Sequence, residues 1–591
     1  MPHYKAPLRD YDFCLNELFG YAAHTELPGF GDFTADVVTQ VLEEGAKLAE
    51  QVLFPLNRSG DEEGCKLVDG VVTTPKGFKE AYRLFVDGGW AALTCDPEHG
   101  GQGMPHMVNF LFEEMMASAN LSFCLYPGLT RGAYVAIASY GSAEQKALYA
   151  PRLASGEWAG AMCLTEAHSG TDLSLLKTVA LPQADGSHAV TGTKIFISAG
   201  EHDLAPNIIY LVLARLPAAP HGVKGISLFV VPKVLSDAEG NLGARNGVAC
   251  ASIEQKMGIH ACSTCVMNFD GATGWLVGVP NEGLKAMFAM MNTERIAVGI
   301  QGLAVAEASY QNAVAYARER LQGRAPRGPR QPAKSADPII VHPDVRRMLL
   351  TQRALTEGCR MLALWTAQWL DISEHHASPE TRERAQGLVA LLTPVVKAFL
   401  TDTGSAAANL GVQVFGGHGY IRANGQEQLV RDARIAQIYE GTNGVQAMDL
   451  VGRKILGDGG QVFSLFAGLV EAHIMAQQRE PALAEITLEL AGAVTRLKQA
   501  TALIIERAAA NPDELGAAAA DYLRLFGLTA LGYFWSLAAA VALPKSNEDF
   551  HRAKLATARF YAQRILPRTA GLAAAIMAGA EPVMAFDEAA F

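Results

Sequence analysis

The chain has 591 residues, half of them apolar, which is too long for a single hydrophobic core and implies several domains. A formal net charge of −11 argues against nonspecific nucleic-acid binding, which needs clustered Lys and Arg to replace counterions. Nine cysteines without framework spacing argue against a disulfide scaffold and fit a reducing compartment.

The opening "MPHYKAPLRDYDF" carries early charges and no apolar stretch of signal length, so no export is expected and the predicted location is cytoplasmic. Residues up to about 160 read as helical. "ADVVTQVLEEGAKLAEQVLFPLNR" and "MVNFLFEEMMASANLSF" repeat apolar positions three and four apart, and between them "GGWAALTCDPEHGGQGMP" (88–105) reads as a glycine-proline turn. The texture then changes. "GAMCLTE", "AVTGTKIFIS", "NIIYLVLARL", "GISLFVVP" and "TCVMNFDG" are short β-branched or aromatic runs without intervening helices, so about 161 to 280 is predicted to be antiparallel β. Within it "CSTC" (262–265) looks like half a zinc site, but it reads as strand and has no second pair, so no metal is expected.

Helical texture returns with one long helix predicted over 283–323, then a basic Pro-rich loop "RAPRGPRQPAKSADP", then helices around 343–371 and 380–411. From about 460 the chain is Ala-rich and helical, punctuated by Pro481 and Pro512. Its uncharged run from Leu525 to Leu543 approaches bilayer length, but its glycines and alanines favour a buried packing helix, and no membrane contact is expected. No dinucleotide fingerprint is supported: "FGGHGY" (415–420) follows a helix rather than a strand. His418 in that stretch reads as structural.

The stretch "AQIYEGTNGVQ" (436–446) sets one carboxylate, Glu440, between an apolar run and a glycine turn, and Asn443 with Gln446 reads as a capping box for the next helix. Together with "MCLTEAHSGTDLSLLKT" (162–178), "KIFISAG" (194–200), "NTERIAVG" (292–299), "YARERLQGR" (316–324) and "VQVFGGHGYIRANGQEQLVRDARIAQIYEGTNGVQ" (412–446), it completes a set of linked motifs. In order and spacing the set resembles the acyl-CoA dehydrogenases over about 40 to 460. The opening residues and long helical C-terminus are similar to the larger bacterial branch that includes methylmercaptopropionyl-CoA dehydrogenase-like enzymes.

The resemblance implies an α+β fold: an extension at 1–37, a helical domain at 38–160, a central antiparallel β domain at 161–282, a helical bundle at 283–458, and an additional helical domain at 459–591. It implies FAD as cofactor and α,β-dehydrogenation of an acyl-CoA, expected to be of medium to long chain in fatty acid β-oxidation, to a trans-2-enoyl-CoA. Alternatives are an acyl-CoA oxidase on the same fold, a methylthiopropionyl-CoA-type dehydrogenase, and, remotely, a noncatalytic nucleic-acid-binding flavoprotein. By the same resemblance Glu440 is the base that removes the α-proton, in apolar surroundings that would raise its pKa, and its own N–H helps hold the thioester oxygen. Met162, Leu164, Thr165, Gly170, Thr171, Phe196, Ser198 and Thr442 are implied at the flavin. Arg320, Gln322, Gln413 and Gly417 are implied to reach the FAD of a neighbouring subunit, which requires a homodimer or higher oligomer. Thr171, Asn292, Arg295 and Gly441 are implied on the substrate side. Glu294, where some relatives place the base, is read as a helix acid paired with a neighbouring Arg or near the pocket wall. The implied electron acceptor is an electron-transfer flavoprotein.

Overall fold

A computed structural model describes residues 2–591. The first part of the chain holds α1 (Leu8–Asp12), α2 (Tyr21–His24), α3 (Ala35–Lys47), α4 (Pro55–Glu63), a hairpin of β1 (Lys66–Val68) and β2 (Val71–Thr73), and α5 (Phe78–Asp87). Then come α6 (His106–Ala119), α7 (Leu121–Tyr140) and α8 (Ala143–Ser155). The strands follow: β3 (Ala159–Cys163), β4 (Val179–Pro182), β5 (His188–Ser198), β6 (Ile208–Arg215), β7 (Ile226–Pro232), β8 (Val234–Ser236), β9 (Leu242–Arg245), β10 (Val248–Ile253) and β11 (Thr264–Val277). Helices resume with α9 (Gly283–Glu319), α10 (Pro343–His375), α11 (Pro379–Phe415), α12 (Gln426–Ala436) and α13 (Asn443–Asp449). The last part is α14 (Gln461–Gln477), α15 (Ala484–Ala508), α16 (Asp513–Ala542), α17 (Asp549–Arg564), α18 (Thr569–Ala578) and α19 (Glu581–Met584).

The chain forms two compact units, one of residues 44–105 and 115–297, the other of residues 1–43, 106–114 and 298–591. The first contains the β sheets. Its seven-stranded sheet runs β10-β11-β5-β4-β6-β3, with β7 paired to both β11 and β6. Most neighbours are antiparallel, as the alternating short runs predict, but β3 and β4 each pair in parallel with β6. The long connections through the sheet return the chain to the same end, which a parallel pair needs and a hairpin cannot supply. Tyr210, Val212, Phe229, Cys163, Ile197 and Met267 fill its core. Helix α7 lies directly on β3 because Gly160 has no side chain: a Cβ there would sit 2.5 Å from that of Ala133. The region read as wholly helical also contains the β1–β2 hairpin. Asp69 and Gly70 both have positive φ (50° and 77°), the geometry of a two-residue hairpin turn between Val68 and Val71.

The second unit is helical. Helices α9 and α11 meet through glycines: a Cβ on Gly302 would lie 2.4 Å from Leu400 O, and one on Gly404 2.3 Å from Gly302 O. Helix α9 stops at Glu319, short of the predicted 323, because the chain turns there: Ile339 N donates to Arg320 O (2.8 Å) and Gln322 N to Asp337 O (2.9 Å). Arg320 and Gln322 therefore sit on the exit from the helix. The buried Asp337 carboxylate organises the basic loop, accepting from the backbone N–H groups of Ala325, Arg330 and Gln331. The uncharged C-terminal run lies in α16, where Leu525, Phe526, Ala530, Leu531, Phe534 and Trp535 are fully buried. A charged cluster is buried in this unit as well: Arg360 holds Asp10, Glu114 and Glu307, while Lys554 holds Asp10 and Glu357.

Candidate active site

In the sheet-bearing unit, the end of β3 and the loop after it carry Met162, Leu164, Thr165, Gly170 and Thr171. Strand β5 carries Phe196 and Ser198 beside them. The two segments are joined at Thr165, whose carbonyl accepts from Ile195 N (2.9 Å). Beneath the loop lies an ion pair that the sequence motifs did not single out. Lys194, fully buried, donates from Nζ to Leu164 O (3.0 Å) and to Glu166 Oε1 (2.9 Å). Glu166 also accepts from Thr178 Oγ1 (2.6 Å) and from the N–H groups of Lys177 and Thr178. Burial pushes the Glu166 carboxyl up, but the Lys194 charge and these bonds outweigh it and hold it at about 2. The loop is thus tied at its base, with Gly170 and Thr171 exposed at its tip.

Phe196 is anomalous. A large apolar ring left 59% exposed on a core strand is unusual, and its φ of 59° is rare for a residue with a side chain. An exposed ring in a strained backbone, on two joined segments that also carry the hydroxyls of Thr165, Thr171 and Ser198, suits a flat aromatic ligand with a polar edge, so these residues fit the isoalloxazine of FAD.

The first part of α9 belongs to this unit and carries "NTER". Asn292 is exposed, whereas Arg295 is buried and its Nη1 donates to Asn292 Oδ1 (3.4 Å). Glu294 is only 5% exposed. It packs on α7 where Gly132 leaves room: a Cβ there would lie 2.8 Å from Glu294 Oε1. Burial lowers the pKa of the adjacent Arg131 guanidinium, and the Glu294 charge opposes that drop. Glu294 thus sits as a helix-packing acid beside an arginine.

In the helical unit, Glu440 occupies the turn between α12 and α13. Glu440 and Gly441 both have positive φ, 57° and 85°. Two left-handed residues in succession, one of them non-glycine, are costly unless the surroundings enforce them. Here Glu440 O accepts from Gln446 Nε2 (3.2 Å), and Gly441 O from Lys397 Nζ (2.8 Å). The Tyr439 hydroxyl donates to Gln301 Oε1 on α9. The expected capping box is not formed. Thr442 caps α13, its Oγ1 accepting from Val445 N (3.3 Å), because tertiary partners take Asn443 instead. Asn443 Oδ1 accepts from Lys397 (2.9 Å), while its amide donates to Ala398 O, Thr401 Oγ1 and Asp402 Oδ1. Gln446 reaches back to Glu440 O and so serves the turn rather than a cap.

Arg320, Gln322, Gln413 and Gly417 gather at another end of the helical unit. Tyr316 of α9 stacks on Phe415 at the end of α11 (centroids 4.1 Å apart), and its hydroxyl meets His418 Nδ1 (2.7 Å). All four candidates are exposed, as is Tyr420, at 83%. His418 thus has a structural partner. Lys397, Lys194 and Glu166 escaped sequence reading, although a lone lysine inside the apolar "TPVVKAFL" was a legible oddity.

Four family profiles match the chain in order. "Acyl-CoA dehydrogenase, N-terminal domain" covers residues 41–157, the middle domain 161–272, and the C-terminal domain 281–456, followed by "Acetyl-CoA dehydrogenase C-terminal like" over 466–587. A 3-methylmercaptopropionyl-CoA dehydrogenase of Ruegeria pomeroyi is 45% identical over 568 residues, covering 95% of this chain and 96% of that one. A broad-specificity linear acyl-CoA dehydrogenase of Mycobacterium tuberculosis is 33% identical over 615 residues, covering 100% of both. Among solved structures, that of Caenorhabditis elegans ACDH-11 in complex with C11-CoA superposes with a TM-score of 0.78, covering 95% of this chain and 91% of that one. At 20% identity this is a likeness of fold alone. The chain belongs to the acyl-CoA dehydrogenase family, the FAD-dependent oxidoreductases that bind acyl-CoA.

Proposed function

We propose that this dehydrogenase oxidises the Cα–Cβ bond of a short acyl-CoA thioester of the 3-methylmercaptopropionyl type, with Glu440 as the base. The observation that carries the base assignment is the clamped, left-handed turn at Glu440. The strain is maintained by four polar side chains, Gln446, Lys397, Asn443 and Gln301, as expected where a side chain must be aimed. Glu440 takes the α-proton from the carbon beside the thioester, and the N–H of Glu440 steadies the negative charge that builds on the thioester oxygen. FAD, when bound, supplies the acceptor for the hydride that leaves the β-carbon. The product is the trans-2-enoyl thioester. Thr165, Thr171, Phe196 and Ser198 hold the cofactor, and Asn292 and Arg295 bind the CoA arm. The packing of Glu294 on Gly132 beside Arg131 favours Glu440 over it as the base.

The substrate class rests on the 45% identical relative along nearly the whole chain. Straight medium-to-long acyl chains are the second reading, favoured by the broad-specificity relative. An electron-transfer flavoprotein is the proposed acceptor. A homodimer is proposed through the exposed end bearing Arg320, Gln322, Gln413 and Gly417. A cytoplasmic location fits nine unpaired cysteines.

The test is an anaerobic titration of the FAD-loaded protein with 3-methylmercaptopropionyl-CoA and with straight acyl-CoAs from C4 to C16, followed by visible absorbance. Bleaching at lowest concentration by the sulfur-containing thioester supports the substrate reading. Preferential bleaching by long chains replaces it with the second. Rapid recolouring in air would point to an oxidase. Glu440→Gln is expected to bind FAD and thioester yet lose at least about 10³-fold in turnover, since Gln keeps the shape but cannot take the proton. Near-normal turnover in that variant would refute the base assignment.

A further inference from the structure

Lys397 is buried on α11 among Val395, Val396, Ala398 and Leu400, all of them fully buried. Taking an ammonium out of water is costly unless strong acceptors replace the lost hydration. Two of those acceptors lie on the Glu440 turn: Gly441 O at 2.8 Å and Asn443 Oδ1 at 2.9 Å. Asn443 is itself held by Ala398 O, Thr401 Oγ1 and Asp402 Oδ1, so lysine and turn form one rigid assembly with α11. Helix α11 is in turn fixed against α9 at the Gly302–Gly404 crossing, where the backbones touch. Among these contacts, the Lys397 side chain is the one that reaches Gly441 O from α11.

We propose that Lys397 is a positioning residue for the dehydrogenation. By gripping Gly441 O and Asn443 it holds Glu440 and Gly441 in consecutive left-handed conformations, and so sets where the Glu440 carboxylate and N–H point. This rests on Glu440 being the base. A lysine that only glues α11 to the turn would affect stability. A lysine that aims Glu440 affects proton removal at unchanged affinity, because a misplacement of about 1 Å costs on the order of 10²-fold in rate.

The experiment uses full-length, FAD-loaded protein and a 3-thia-acyl-CoA, whose sulfur in place of the β-carbon permits loss of the α-proton but not of a hydride. Exchange of its α-protons with D2O is read by mass spectrometry, its Kd by equilibrium titration, and FAD content by absorbance. Wild type, Glu440→Gln and Lys397→Met are compared. The expected result is exchange lowered about 10²-fold in Lys397→Met, with Kd within about threefold and FAD content unchanged. Exchange within about threefold of wild type overturns the proposal. So does a parallel loss of affinity and FAD, which would mark a packing defect. Should Lys397→Met not yield folded flavoprotein, Asn443→Ala removes the second anchor: a drop of at least about tenfold supports the clamp, and unchanged exchange overturns it. The Glu440→Gln control separates the two ideas. If it exchanges normally, the base assignment fails; if it is dead while Lys397→Met is normal, only the positioning role fails.

Discussion

Replacing Glu114 by Gln should remove a pH dependence from the stability of the helical unit, and the size follows from the buried cluster around Arg360. Three cations, Arg353, Arg360 and Lys554, face Asp10, Glu307 and Glu357, which balance them. Glu114, 2.5 Å from Arg360, is the fourth carboxyl and the surplus charge. Burial pushes its pKa up to about 7 against the pull of Arg360, from an ordinary 4.5. Asp10 goes the other way: burial would raise it, but the Lys554 and Arg360 charges outweigh burial and hold it at about 2. For Glu114 the folded state binds the proton more tightly than the unfolded state. The Glu114 contribution to stability is therefore greatest below pH 4.5 and is lost as pH rises through 7. At about 1.4 kcal/mol per pH unit, the wild type should gain about 2 to 3 kcal/mol between pH 8 and pH 5 that Glu114→Gln does not. Urea-unfolding midpoints of both proteins at pH 5, 6, 7 and 8 give the difference, in which titrations common to both cancel. A wild-type-minus-variant difference that is flat across this range would refute the charge count.

Four further variants probe local contacts. Lys194→Met leaves the buried Glu166 without its Lys194 cation beneath the loop proposed to hold the flavin, a loss of about 3 to 5 kcal/mol for a broken buried pair. FAD retained after gel filtration should fall well below wild type, and full retention would sever this pair from cofactor binding. Gly404→Ala places a methyl 2.3 Å from Gly302 O, so the α9–α11 crossing must open at a cost of about 1 to 3 kcal/mol. Its thermal midpoint should drop by several degrees, and an unchanged midpoint would mean the helices separate freely. Thr442→Ala loses the α13 cap at about 1 kcal/mol. Asn443→Ala should cost more, since several partners converge on Asn443.

Much of the architecture was legible because it rests on local period. The long helices appear where apolar residues recur three and four apart, and the strands where β-branched runs stop at Gly, Asp and Pro. The β1–β2 hairpin was legible too, in "KLVDGVVTT": Asp-Gly between β-branched residues is a two-residue turn, masked by the helical texture on both sides. The parallel pairing of β3 and β4 with β6 was not, because strand order depends on long connections whose paths no window of sequence contains. The capping box failed for a related reason. Asn443 and Gln446 have the right spacing, but Lys397, Thr401 and Asp402 lie more than forty residues away and compete for Asn443.

Backbone strain is what sequence hides most completely, since nothing in Phe196 or Glu440 announces a positive φ. Among the described residues, seven non-glycine residues adopt it: Asp69, Phe196, Ala199, Ala218, Ile259, Asn281 and Glu440. Asp69 is accounted for by its hairpin turn, and Ile259 opens a turn in which its carbonyl accepts from Cys262 N (3.1 Å). Phe196 and Glu440 are the two that the motif set had already singled out, for the flavin and for the proton. That coincidence is informative because its two sides are independent: one comes from residue types at fixed spacing, the other from dihedral angles. A strained residue persists only where its neighbours over-determine it. At Glu440 those neighbours include polar side chains on α9, α11 and α13. The same contacts that make the turn costly to form make it stiff once formed, and stiffness is what a base needs to meet an α-carbon at a fixed distance.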